Sequence, residues 1–230
     1  MRQLQPTAPK SLNPYASELL EALAGHPEAA EIVLGGGVAL SHYVDYRRTV
    51  DLDAWWRGAV SPEARHLAIE ATKAVAERHG LQVRLRKWGE TESFELLQAG
   101  RKVFSFQIST RTRYIEAPLI ASWAPVMIES LRDNAASKMT ALVERGAPRD
   151  LLDIHELCAR GILEVDECWQ LWAEKNADSD PQEGRDKVLF HVQRLELQRP
   201  LEKIQSSEDR TRAAAVRRWF KESFCEANAP

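Results

Sequence analysis

The stretch Leu34-Gly35-Gly36-Gly37-Val38-Ala39-Leu40, followed closely by Arg47-Arg48-Thr49-Val50-Asp51-Leu52-Asp53, decides how this chain is read. Glu31 to Leu34 reads as a short strand that runs into a glycine turn, and Val38 to Val44 as the short apolar helix that leaves it. Glycines lack the Cβ that holds a backbone away from a ligand. A helix opening just after them points its free N–H groups at an anion. Val50 to Trp56 reads as a second strand. Asp51 and Asp53 stand two apart, so both project from one face, while Leu52, Ala54 and Trp56 take the other. Two hard oxygen ligands side by side suit a magnesium ion bound to nucleotide phosphates. A phosphate cradle beside a metal-binding pair is a candidate site for phosphoryl or nucleotidyl transfer.

Working outward, residues 1–14 contain Pro6, Pro9 and Pro14 and read as an extended arm. Leu19, Leu20 and Leu23 give a helical stripe ended by Gly25 and Pro27. Beyond the acid pair, Ser61-Pro62-Glu63 opens a helix with a serine cap and a proline in the first turn. Leu67, Ala71, Ala74 and Val75 are its expected inward side, and Gly80 its stop. Three strand-like runs follow at 81–86, 93–98 and 103–108, with Gly89 and Gly100 at the turns. In the first, Leu81, Val83 and Leu85 alternate with Gln82, Arg84 and Arg86. Residues 31–110 therefore read as β-α-β-α-β-β-β, a mixed-sheet α/β unit. After Pro125 the period becomes helical, through Ile128, Leu131, Ala135, Met139 and Leu142, and again from Pro148 through Leu151, Ile154, Leu157 and Cys158. Further helices are expected near 165–176, 183–195 and 207–226. The expected division is an α/β core with its arm over 1–118 and a helical domain over 119–230.

A formal net charge of -3 rules out a whole-molecule basic field for nucleic acid, leaving a local patch as the only such device. Arg84, Arg86, Lys87, Arg101, Lys102, Arg111 and Arg113, with Trp88 and Tyr114 among them, form one candidate patch, equally readable as a solvated strand face. Cys158, Cys168 and Cys225 are sparse and form no Cys-x-x-Cys pair, which argues against a disulfide framework or a zinc site and for a reducing compartment. Neither His42 nor His155 has a companion at metal-ligand spacing. The amino terminus lacks an apolar signal core and no run is long enough to span a bilayer, so a cytoplasmic protein without membrane contact is expected.

The motif Gly36-Gly37-Val38-Ala39-Leu40 with Arg47-x-Thr49-x-Asp51-Leu52-Asp53 resembles the glycine motif and paired acids of the DNA-polymerase-β-like nucleotidyltransferases. Lys138 followed by Arg149-Asp150-Leu151-Leu152-Asp153-Ile154 resembles the downstream signature of the AbiEii-type nucleotidyltransferase toxins, the toxin halves of bacterial toxin–antitoxin and phage-defence pairs. The resemblance implies a polymerase-β-like core followed by a helical bundle that completes the active-site cleft. It implies magnesium-dependent transfer (manganese can substitute) of a nucleoside monophosphate from a nucleoside triphosphate to an acceptor hydroxyl. In several members the acceptor is the 3′ end of a tRNA, and the partner is a cognate antitoxin. Carried over residue by residue, Gly36, Gly37 and Val38 with Arg47, Thr49 and Arg149 hold the triphosphate, and Asp51 and Asp53 bind the metal. Lys138 meets the phosphates, and Asp150 or Asp153 orients or deprotonates the attacking hydroxyl.

Two positions depart from the pattern. Val38 stands where relatives usually carry Ser or Thr, which leaves only backbone N–H groups for a phosphate. Gln107 stands where many superfamily members carry a third carboxylate, and it lacks the charge for a second metal. The residues by themselves leave other readings open. The glycines could form a ligand-free turn, Asp150 could complement a helix N-terminus, and Lys138 could be a surface lysine. The rivals to the transferase are a module that binds nucleotide or a partner without turnover, and an enzyme that modifies a protein hydroxyl.

Overall fold

The computed structural model describes residues 2, 4–111, 113–177 and 179–226, so Met1 and Gln3 of the expected arm lie outside it. The chain divides into two compact units. One is Leu4–Asn134; the other holds the described residues from Ala135 onward together with Arg2, whose N–H donates to the Ile162 carbonyl at 3.0 Å.

The first unit is built on a mixed sheet of seven strands: β1 (Ile32–Leu34), β2 (Leu52–Trp56), β3 (Gln82–Trp88), β4 (Thr91–Gln98), β5 (Arg101–Thr110), β6 (Leu119–Ile120) and β7 (Met127–Ile128). Their order is β3-β4-β5-β2-β1-β7-β6 among the described residues. The α-helices lying wholly in this unit among the described residues are α1 (Pro14–Leu23), α2 (Gly36–Tyr43) and α3 (Pro62–Arg78). Asn13 caps α1, and the Ser61 hydroxyl accepts the Ala64 N–H at 3.1 Å to cap α3, as the Ser-Pro-Glu start predicts. One face of the sheet carries Leu52, Ala54, Trp56, Phe94, Phe104, Phe106 and Ile108, which join the buried faces of α1 and α3 in the hydrophobic core.

The inward side of α3 is rotated from the expected one. Ala64, Ala68, Ala71, Thr72 and Val75 are buried, Leu67 is half-buried and Ala74 is exposed. Small side chains let a helix backbone lie close to its neighbours, so alanine rather than leucine marks this face. The alternation read in β3 buries neither side. As the edge strand it is exposed along its whole length, with Leu85 at 56%. Residues 119–128, grouped with the helices from sequence, carry β6 and β7. Each is two residues long, too short for any period to show.

Helix α4 (Leu131–Glu144) contains the boundary between the units. In the second unit follow α5 (Pro148–Ala159), α6 (Val165–Lys175), α7 (Pro181–Gln198) and α8 (Ser207–Trp219), the last continued by a π turn over Phe220–Phe224. Trp169, Trp172, Phe220 and Phe224 form an aromatic cluster there, with the Trp169 indole N–H donating to the Phe224 carbonyl at 3.1 Å. No helix among the described residues is long and apolar enough to cross a membrane.

Candidate active site

β1 ends at Leu34, paired with Ala54 of antiparallel β2, and the chain turns at once into α2. The Gly35 N–H donates to the Asp53 carbonyl at 2.9 Å, which fastens the turn beside the acid strand. Each glycine meets a different neighbour. A Cβ on Gly35 would lie 2.2 Å from Trp55 Nε1, one on Gly36 2.3 Å from Asp53 Oδ2, and one on Gly37 2.8 Å from Thr49 Cγ2 and 3.3 Å from a terminal nitrogen of Arg47. Gly36 also has a φ of +58°, in the left-handed region. The sequence-predicted residues Gly36, Gly37, Arg47, Thr49 and Asp53 therefore converge on one backbone turn. The first N–H groups of α2, which lack intrahelical partners, open from it.

Val38 is fully buried in the hydrophobic core, so only its main chain belongs to the turn. This accounts for an apolar residue where a hydroxyl was expected.

Asp51 immediately precedes β2. Its Oδ1 accepts the Ser105 hydroxyl at 2.7 Å and lies 3.6 Å from Lys102 Nζ. Asp53 pairs in parallel register with Gln107. The third-acid position thus falls directly beside Asp53, and its amide donates to Ser105 Oγ at 3.3 Å. Among the described residues no group of three or more His, Cys, Asp or Glu side chains is gathered to hold a metal. Magnesium bound to a nucleotide does not need one, because one or two carboxylates combine with phosphate oxygens and water. A carboxylate lying against a glycine turn with open N–H groups fits that mode of binding.

A buried polar network behind the turn was not read from sequence. Glu129, Asp133 and Asn134 are fully buried. The Asn134 amide donates to the Gly36 carbonyl at 3.0 Å and to Glu129 Oε2 at 2.9 Å. Arg111 pairs with Glu129, lies 3.8 Å from Asp133 and stacks on Trp55 with its guanidinium carbon 4.1 Å from the ring centroid. Burial lowers the Arg111 pKa to about 10 against the opposing pull of Asp133, so the group stays charged at neutral pH. Tyr43 donates to the Glu129 carbonyl at 2.7 Å. The available signal was a cluster of polar residues, Glu129, Asp133 and Asn134, interleaved with the apolar stripe that opens α4.

The basic patch is largely neutralised. Glu95 takes Arg84 at 2.7 Å and Arg86 at 3.8 Å, Lys87 lies 4.0 Å from Glu92, and Arg111 belongs to the buried network. The solvated-face reading describes these residues better than a phosphate-binding one.

In the second unit, Lys138 Nζ lies 2.7 Å from Asp153 Oδ2, with Asp153 fully buried and Lys138 nearly so. Lys138 is therefore not a surface lysine. Asp150 holds another arrangement. Arg145 clamps both its oxygens at 2.8 and 2.9 Å, and Asp150 Oδ2 also accepts the Ala147 N–H at 3.2 Å at the start of α5. Its carboxylate is engaged by Arg145 and the first turn of α5, the arrangement in which Asp150 complements the helix start. Arg149 is exposed on the first turn of α5.

A glycine turn that opens α2 thus lies against Asp53 of the neighbouring strand β2 in a mixed sheet. Over residues 18–222 the chain matches the family described as Nucleotidyl transferase AbiEii toxin, Type IV TA system, and it belongs to that family. No curated relative matches it.

Proposed function

We propose that this nucleotidyltransferase toxin moves a nucleoside monophosphate from a nucleoside triphosphate to the 3′ hydroxyl of a tRNA, with Asp51 and Asp53 as its magnesium ligands. The observation that carries this is the approach of Gly36 to Asp53, which sets the phosphate cradle in contact with one of the two acids. In this assignment the N–H groups at the start of α2 hold the phosphate oxygens, and Arg47, beside Gly37, adds positive charge. Thr49 shapes the turn from the same side. When bound, magnesium neutralises phosphate charge and polarises the phosphorus. The acceptor hydroxyl releases its proton and its oxygen forms the new P–O bond as the bond to pyrophosphate breaks. The protein's part is positioning and electrostatics, with the charge that develops on the leaving group met by cations and N–H donors already in place.

From the family signature, Lys138 is taken as a cation for the triphosphate and Asp153 as its ion-pair partner. Asp153 also remains the candidate for orienting the acceptor hydroxyl. The cognate antitoxin expected of such a system is a protein that opposes this transfer in the cell. The test is incubation with each labelled nucleoside triphosphate and a tRNA pool, with and without magnesium. Asp53→Asn should remove the labelled product while leaving the circular dichroism spectrum unchanged. Label transferred equally by Asp53→Asn would overturn the assignment.

A further inference from the structure

We propose that Ser105 is the positioning residue for Asp51, and that Ser105 and Gln107 together take over, in hydrogen bonds, the place a third carboxylate would occupy. This rests on Asp51 as a metal ligand. Both side chains lie on the sheet face opposite the hydrophobic core, because Phe104, Phe106 and Ile108 between and around them are core residues. Ser105 is fully buried, beside Asp51 just ahead of β2.

A hydroxyl has one proton and two lone pairs. Ser105 Oγ is approached by Gln107 Nε2 at 3.3 Å and by Lys102 Nζ at 3.3 Å, both obligatory donors. With the lone pairs so occupied, the hydroxyl proton is directed to Asp51 Oδ1 at 2.7 Å. One oxygen of Asp51 is thereby fixed and the other is left to turn toward a cation. An acid at position 107 would have reversed the polarity of this chain and placed a third negative charge beside Asp53. The glutamine instead gives a site of two carboxylates, suited to one protein-bound metal ion. Lys102 acts in the opposite sense. Its ammonium, 3.6 Å from Asp51 Oδ1, partly neutralises the carboxylate and repels an incoming cation.

The test is titration of the full chain with Mn2+ alone, followed by the electron paramagnetic resonance signal of the free ion, with a thermal melt of each variant. Hydrogen-bonding partners of metal ligands are typically worth about 10- to 100-fold in metal affinity. Ser105→Ala should weaken Mn2+ binding within that range while still melting in one cooperative transition, and Gln107→Met should weaken it less. Lys102→Met should tighten it by roughly a few fold, since one repelling charge is gone. A merely structural role would not give opposite signs. Native Mn2+ affinity in Ser105→Ala, with binding still abolished by Asp53→Asn, overturns the proposal and leaves the transferase assignment standing. A native chain that binds no Mn2+ even with a non-hydrolysable triphosphate present overturns both.

Discussion

Replacing Gly36 with alanine tests the contact on which the site is built. The new Cβ would lie 2.3 Å from Asp53 Oδ2, 2.8 Å from Asp53 Cβ and 3.0 Å from Asp53 Cγ. Carbon atoms prefer separations of about 3.5–4.0 Å, so the turn and the acid must part by roughly 1 Å. Rotating the carboxylate away does not suffice, because the Asp53 Cβ is itself too close. The left-handed φ of +58° costs a further ~1–2 kcal/mol with a side chain present, and overpacking adds ~1–3 kcal/mol. The sum, about 2–5 kcal/mol, corresponds to a fall in Tm of roughly 4–20 °C for a chain of this size. A misplacement near 1 Å in a reacting site costs about 10²-fold in rate. The control is Gly25→Ala. Gly25 has a φ of +80°, yet nothing lies within 4 Å of its Cβ position. It carries the backbone strain without the clash, so Gly25→Ala should lose stability and keep transfer. The assay is labelled-nucleotide transfer measured below both melting temperatures. If Gly36→Ala transfers as fast as Gly25→Ala, the turn and the acid pair do not form one site.

Three further outcomes are expected. Lys138→Met strands a fully buried Asp153 and should destabilise the second unit by ~3–5 kcal/mol. The double change Lys138→Met with Asp153→Leu should recover the melt but not transfer, and recovery of transfer would show the pair to be structural alone. Asn134→Ala removes the amide that joins Gly36 to the Glu129 carboxylate. It should cost ~1.5–3 kcal/mol and raise the KM for nucleotide more than it lowers kcat, which steady-state kinetics would show. Burial lowers the His42 pKa below its ordinary 6.5, so the folded state binds fewer protons than the unfolded one below that pH. Stability is fully present above about 6.5 and lost as pH falls toward the folded value. The Tm should drop between pH 7 and 5, less steeply in His42→Gln, and equal slopes would exclude His42 as the cause.

Much of the site was legible because its signals are local. Asp51 and Asp53 two apart, the apolar partners Leu52, Ala54 and Trp56, and the glycines between strand and helix all lie within one β-α-β span, and strand period and turn chemistry are enough to read it. What escaped depends on contacts between distant segments. Nothing in the run that holds Arg111 separates a buried guanidinium from a surface one until Glu129 and Trp55 are brought to it. Arg84 and Arg86 read as free charge until β4 delivers Glu95. Lys138 and Asp153 were both singled out, but their pairing depends on how α4 and α5 pack. Asp150 and Asp153 look alike in sequence. The preceding Arg145 and the cap at Ala147 engage the first, and Lys138 takes the second. The strands β6 and β7 were missed because two residues carry no periodicity.

The most direct measurement is a denaturing gel of total RNA incubated with the protein, magnesium and each α-labelled nucleoside triphosphate in turn. Transfer at Asp51 and Asp53 predicts label on RNA of tRNA size, dependent on magnesium and absent with Asp53→Asn. No label on any RNA with any of the four triphosphates, or label that persists undiminished in Asp53→Asn, would contradict it.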